Sequence, residues 1–529
     1  MTTGYRWFRA GDLNGFFALM FDNVANLVIL ASILTGAFGF PLSIVLYRMV
    51  PGTAIGVLAG DLFYAWMASR LARQTGRDDV TAMPLGLNAP SIFGMSFGVL
   101  GPAYLATHDA YLAWKMGMAV TVLVGVFKIA LSFFGNAVRR ALPRAALLGS
   151  IGGAGLALIA LLPMLKMYAD PIPGLLAFGV ILVSLVGGVK IPGKVPGALA
   201  SALVGIAAFH FLRAVHIVSP LVAAPAEHSA AFHLGFPWPT VAFLGGLSLA
   251  WVYLPIILPF SLATVVGGID NTESAAAAGD VYDTRAILLT EGFCTLLAGL
   301  CGGVVESTPY IGHPAYKAMG ARSGYVILTG LFIGLGGILG YLPFFVAWIP
   351  AAAIAPILVY IGLEVISQAF LATPSRHGLA VAVSLLPSLA FLIALEVKAA
   401  LDNAGANPAQ LTGDVGETIR TVILLGNGFI ISALIWGAAT AELLDRRFGR
   451  SALCLIAGAV ACMFGIIHSP APDGAFILPW RAGSPLPWYF AIGYLGAALV
   501  VFISKFFPRE DLVPEHRPAT QQVPGESAS

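Results

Sequence analysis

Charged side chains are sparse in this chain. Those with the clearest chemical potential lie in one stretch, PIILPFSLATVVGGIDNTESAAAAGD, residues 255–280. It opens as an apolar helix and reaches Asp270, Asn271, Thr272 and Glu273 near its end. Asp270 and Glu273 stand three apart and share one side of a continuing helix. Ionisable residues at membrane depth are costly, and their default reading is an ion or substrate site. A carboxyl group that takes up and releases a proton there is the simplest coupling device available, and Asn271 and Thr272 offer hydrogen bonds to a ligand. The alternative is that these residues only cap the helix at the interface.

The elements around this stretch must then be membrane helices. The chain has 529 residues, 58% apolar and 10% charged, with a mean hydropathy of +0.88. A soluble protein carries about a quarter charged residues, so this is a polytopic all-α membrane protein. The net charge of +2 says nothing about nucleic acid, and with no basic run beyond short clusters at helix ends no nucleic-acid partner is expected. Cys294, Cys301, Cys454 and Cys462 all lie in apolar segments and read as small buried residues, not as a disulfide or zinc framework. No metal and no cofactor is expected. The polar first dozen residues and the apolar segment after them show no signal-peptide cleavage site.

A spanning helix needs about 20 mostly apolar residues. On that ruler sixteen segments fall near 13–35, 41–69, 82–106, 111–134, 144–165, 172–189, 196–213, 240–270, 285–303, 306–320, 324–346, 350–371, 377–400, 420–444, 451–468 and 487–507. With the N-terminus inside, the inside loops hold 20 of the 28 lysines and arginines, among them Arg77, Arg139, Arg144 and Lys317. Cytoplasmic loops are enriched in such residues, so both termini are expected in the cytoplasm, and a bacterial inner (plasma) membrane is the expected location. His216, His228 and His233 lie in the outside loop 214–239, at a spacing that matches no tight metal pattern. The tail 508–529 reads as disordered.

Segments 3 and 10 are interrupted and polar in the middle. The third has Pro84, Gly86, Asn88 and Pro90; the tenth has Pro309, Gly312, His313 and Pro314. Segments 1 and 8 share an Asp-Asn pair, Asp22-Asn23 and Asp270-Asn271. Matches of 1 with 8 and 3 with 10 define a seven-segment repeat. Seven is odd, so the second copy is inverted in the membrane. Inverted repeats with discontinuous helices mark transporters, with the site at the repeat interface. Each broken segment is expected to enter as a short extended piece and continue as a half-helix whose N-terminus faces the centre and favours anionic or acceptor-rich ligands.

On LGLNAP at 85–90, GGIDNTESA at 267–275 and STPYIGHPAYKAMGARSG at 307–324, the chain resembles the nucleobase–cation symporter-2 family (xanthine/uracil/ascorbate permeases), nearest its adenine/guanine/hypoxanthine branch. The resemblance covers segments 1 to 14. It implies a seven-plus-seven inverted-repeat fold with a core (segments 1–4 and 8–11) and a gate (5–7 and 12–14). It also implies proton-driven import of a purine, pyrimidine or similar ring, and leans toward a homodimer. On this reading residues 1–12 are a cytoplasmic N-terminus, 13–213 and 240–444 the two repeats, and 445–507 two additional helices beyond the family's fourteen. The chain departs from the family where Gly312 and His313 replace the acidic position of segment 10; Glu306 lies a few residues earlier and is a candidate replacement.

The candidate substrate-binding residues are Asp270, Asn271, Glu273, Asn88, His313, Tyr310, Asp22 and Asn23. Proton coupling is assigned to Asp270, Glu273, Asp61 or Glu306. Tyr310 and Phe93 are candidates to stack on a planar ring, although an aromatic in such a segment usually packs. Glu364 is a gate or interfacial residue. No HExxH, GxSxG or GxxxxGK[ST] pattern appears, which speaks against an intramembrane enzyme and against ATP drive. The alternative to nucleobase import is an anion transporter or exchanger of the sulfate-permease type on the same fold. Half-helix dipoles suit it; Asp270 and Glu273, unless protonated, oppose it.

Overall fold

The structure, a computed structural model, describes residues 4–87, 89–217, 219, 221, 236–342, 349–471 and 474–507. Asn88, His228, His233 and the tail 508–529 lie outside these residues, and of Phe93 only the helical backbone is described. In lipid every backbone polar group must find its partner within protein, which drives apolar stretches into helices. All sixteen segments have a counterpart. Among the described residues, eight helices are long and apolar enough to cross a membrane, and a bent pair, Gly413–Gly426 and Phe429–Leu444, makes a ninth span if taken as one.

Two helical lobes share the molecule. Segments 1 (Gly11–Ser32), 2 (Leu42–Thr75), 4 (Ala110–Ala141), 9 (Thr284–Leu300) and 11 (Gly324–Leu339) pack on one another, with 4 against 9 and 2 against 11 as the longest seams. Segments 5 (Arg144–Ala169), 6 (Pro171–Val186), 7 (Gly197–Ala214), 12 (Ala351–Leu371), 13 (Gly378–Asn403) and 14 form the other. Segment 8 (Leu254–Ala277) lies between, against segments 4 and 5. It stays helical through Ala277, about two turns past Asp270. Asp270 is thus inside the helix and not at its cap.

The broken segments meet at the centre. β1 (Leu85–Leu87) leads into helical turns over 89–107, and β2 (Ser307–Pro309) precedes the short helix His313–Ala318. The strands pair antiparallel, with Leu85 opposite Pro309, Gly86 opposite Thr308 and Leu87 opposite Ser307. The two lead-ins thus approach from opposite ends of the lobe, as inverted repeats require. The architecture is the seven-plus-seven inverted-repeat transporter fold with two broken helices and two additional C-terminal helices.

Segment 14 corrects the expectation of one span over 420–444. Its helix starts at Gly413 and bends by 78° at Asn427-Gly428. Gly428 has φ 74°, a left-handed conformation that favours glycine. The Asn427 amide donates to Ser469 O at 2.8 Å, tying the bend to the stretch after segment 15. An Asn-Gly pair is a turn signal even in an apolar run. Segments 15 (Phe448–Met463) and 16 (Leu486–Ile503) pack on each other and on segment 14.

Candidate functional site

Three-residue strands cannot satisfy their own backbone at membrane depth, and the polar residues of the neighbouring helices do it for them. Asn23 Oδ1 accepts from Leu87 N at 3.1 Å while its Nδ2 donates to Leu19 O. Asn271, its counterpart in the second repeat, donates from Nδ2 to Pro309 O at 2.9 Å. Asp61 Oδ1 accepts from Leu85 N at 3.3 Å. Asn26 donates to Leu87 O and to Asp22 Oδ2, the latter at 3.0 Å. The Tyr310 hydroxyl lies beside Asp22 but outside hydrogen-bond geometry, and both residues are buried. Asn23, Asn271 and Asp61 thus hold the crossing strands, and the amides of the two asparagines are engaged by backbone.

A second group joins Glu306, a proton-coupling candidate, to two residues that sequence reasoning did not single out, Lys128 and Glu291. Lys128 of segment 4 has its Nζ 2.7 Å from Glu291 of segment 9 and 2.6 Å from Glu306, just before β2. Lys128 and Glu291 are fully sealed from solvent. Glu306 also accepts from the hydroxyls of Ser91, on the first turn of half-helix 3, and Thr264 of segment 8, the latter at 3.3 Å. Glu306 therefore faces the junction of the two broken segments, paired with a cation. A small pocket of about 10 Å³, lined by Ser91, Met95, Thr121, Val124, Ile257, Val304 and Glu306, lies beside it. The signal for Lys128 and Glu291 was present: each is an ionisable residue inside an apolar run.

Asp270 and Glu273 stand in different surroundings. Asp270 is fully buried beside Ser150 of segment 5, and neither carboxylate oxygen has a hydrogen-bond partner among the described residues. Glu273 is held by two arginines: Arg139 Nε of segment 4 at 2.7 Å and Arg144 Nε of segment 5 at 2.5 Å. The next residue, Ser274, and Gln368 of segment 12 exchange two hydrogen bonds of 2.6 and 2.7 Å. The expectation that Glu273 is available to a substrate or a proton meets this double ion pair, which engages both of its oxygens.

His313 turns away from the end of its half-helix. Its Nε2 lies 3.1 Å from Thr81 O and 3.4 Å from Asp280 Oδ2. Asp280, in the turn between segments 8 and 9, also takes Lys317 Nζ at 2.7 Å, Arg77 Nη2 at 3.2 Å and Thr81 N at 3.0 Å. Burial raises its pKa, but the hydrogen bonds and charges of His313 and Lys317 outweigh it and hold the carboxyl below its ordinary range. His313, expected to line the site, makes these contacts to the extended lead-in of segment 3 and to the 280 turn. Glu364 lies on segment 12, in the other lobe.

Gly312 accounts for the departure from the symporter pattern. Its φ is 130°, and a Cβ built on it would stand 2.7 Å from Ile361 Cγ2 of segment 12. A glutamate at this position fits neither the backbone nor the space.

No protein-family model matches the chain, and no curated protein sequence does. Solved structures do. The transmembrane domain of a cyanobacterium bicarbonate transporter, BicA, is 16% identical over 71% of this chain and 95% of that one, with a TM-score of 0.39. SLC26A9 is 12% identical over 72% of this chain and 62% of that one, with a TM-score of 0.40. The resemblance drawn from sequence is corrected: no family model places the chain among the nucleobase–cation symporters, and the two structures named here are those of a bicarbonate transporter and of SLC26A9. The chain is a polytopic helical membrane protein with the inverted-repeat fold described above.

Proposed function

We propose that this chain is a secondary transporter of a small anion, with a proton carried on Asp270 as the coupled ion. The observation that carries the reading is Glu273 between Arg139 and Arg144. The objection to an anion was that two carboxylates of segment 8 would repel it; one of them is over-neutralised by two guanidinium groups at the seam between the lobes. Glu291 and Glu306 share Lys128 in the same way. Asp270 is left as the carboxyl of segment 8 with no partner, and burying such a charge is costly unless a proton joins it. With that proton in place the seam carries net positive charge.

Two of the polar side chains that would read a nucleobase edge, Asn23 and Asn271, are otherwise engaged. The amides of Asn23 and Asn271 hold strand backbone. Gly312 leaves no carboxylate at the place where the permease pattern has one. Half-helix 89–107 presents an N-terminus at the strand crossing, which suits an anion. In this reading the arginine-rich end of both lobes faces the cytoplasm, segments 1–4 and 8–11 move as the core, and segments 5–7 and 12–14 act as the gate.

The test is uptake into proteoliposomes. Radiolabelled sulfate, bicarbonate, dicarboxylates, purines and pyrimidines are offered with and without an imposed pH gradient. An anion accumulates in response to the gradient, and Asp270→Asn removes that response while leaving anion exchange. Uptake of a purine or pyrimidine with no anion uptake defeats the reading.

A further inference from the structure

A cavity lies away from the lobe seam, at the end of the core lobe opposite Arg77, Lys317 and Arg139. Its volume is about 470 Å³, within the range of ordinary small-molecule sites. The start of segment 2 (Ser43, Tyr47, Arg48), the start of segment 4 (Tyr111, Trp114), the lead-in to segment 8 (Phe236, Trp238, Thr240) and the end of segment 9 (Cys301, Gly302) wall it.

Its chemistry is specific. Arg48 is the one residue in the lining that is charged at neutral pH, and the lining contains no carboxylate. Its guanidinium lies over the Trp114 ring, 5.7 Å from the centroid, and is exposed. Among the described residues no acidic side chain pairs with it. A stacked guanidinium keeps its N–H edge free for an oxyanion. Trp114 is locked in place because its Nε1 donates to Gly302 O at 2.8 Å. Tyr111 meets Trp114 edge-on at 6.3 Å, and Trp238, tilted on Phe236 at 4.5 Å, is 69% exposed. An unpaired cation on a fixed aromatic floor, with a second indole facing open space, is built for one kind of ligand.

We propose that this cavity binds an amphiphilic anion, its charged group on Arg48 and its apolar body between Trp114, Tyr111 and Trp238. The same chemistry is met by a soluble aromatic or alkyl anion and by the head group of an anionic lipid. The site is independent of the transport pathway proposed above, since no residue of the seam lines it.

The experiment is calorimetric titration of the full chain in nanodiscs of zwitterionic lipid, against empty nanodiscs. Naphthalene-2-sulfonate is titrated in one arm and dihexanoylphosphatidylglycerol in the other. Saturable binding in either arm, weakened about tenfold, or 1.4 kcal/mol, by Arg48→Gln and also weakened by Trp238→Ala, supports the site; the arm that binds identifies the source. Arg48→Lys keeps the charge and loses the planar fork, so it binds between the two. Both side chains are exposed, and unchanged melting temperatures verify the fold. Absence of binding in both arms, or wild-type affinity in Arg48→Gln and Trp238→Ala, overturns the proposal.

Discussion

Glu273 on segment 8 and Arg144 at the start of segment 5 are joined at 2.5 Å, across the seam between the two lobes. Arg139, from the core side, takes the other oxygen. Arg144 is 49% exposed, so its pair contributes at most about 1 kcal/mol to folding. Its effect on the balance between two arrangements of the lobes is another matter, because only one arrangement makes the contact. Glu273→Gln should shift the melting temperature little and raise access to the seam. In a background without the four native cysteines, Ala277→Cys should react several times faster with a water-soluble maleimide once Glu273→Gln is added. Equal rates would mean that the pair does not latch the lobes.

Lys128 carries a larger structural load. Its removal leaves Glu291 and Glu306 facing each other out of water. Breaking a buried ion pair from one side costs about 3–5 kcal/mol. Lys128→Met should therefore express poorly or melt far lower than wild type. The triple variant Lys128→Met, Glu291→Gln, Glu306→Gln removes all three charges and should recover most of that loss. Recovery that fails would show that the lysine stem, and not its charge, holds segments 4 and 9 together.

These two clusters also show where sequence reading reaches its limit. The broken segments are legible because Pro84, Gly86, Pro309 and Gly312 interrupt apolar runs by local chemistry alone. The Asp-Asn pairs of segments 1 and 8 are legible because the repeat sets them side by side. Their roles are not: whether Asn271 meets a ligand or Pro309 O depends on a strand 38 residues away. Lys128 and Glu291 are separated by 163 residues, and each taken singly is only an isolated charge in an apolar helix. Gly312 reads as a missing carboxylate in the sequence and as a steric requirement in the fold, because Ile361 belongs to a different lobe.

That requirement is testable in its own right. Gly312→Ala places a Cβ 2.7 Å from Ile361 Cγ2 on a backbone with φ 130°. Strain of this kind costs about 1–3 kcal/mol. The variant should melt lower than wild type, and Ile361→Ala should restore part of the loss by opening the space while leaving the dihedral strain. Gly312→Glu, which supplies the carboxylate of the permease pattern, should lose stability and should not gain purine uptake. Purine uptake by that variant would show that the substrate preference rests on this one position.

Asp280 sets a pH dependence with a definite sign. Its pKa is lowered in the folded protein, since His313 and Lys317 outweigh the cost of burial. A carboxyl group with a depressed pKa binds fewer protons folded than unfolded, so its contribution to stability is complete above the ordinary carboxylate range. It is lost as pH falls through the depressed value. The turn it anchors joins the lead-in of segment 3, through Thr81 N at 3.0 Å, to the half-helix of segment 10, through Lys317 at 2.7 Å. Asp280→Asn should lower the melting temperature at pH 7 and flatten the acid limb, so that the two curves approach each other below about pH 4, near the unperturbed carboxylate value. Salt should change the difference little, because the carboxylate is fully buried. Parallel curves from pH 7 to pH 3 would mean that another carboxylate sets the acid limb and that the 280 turn is held by packing alone.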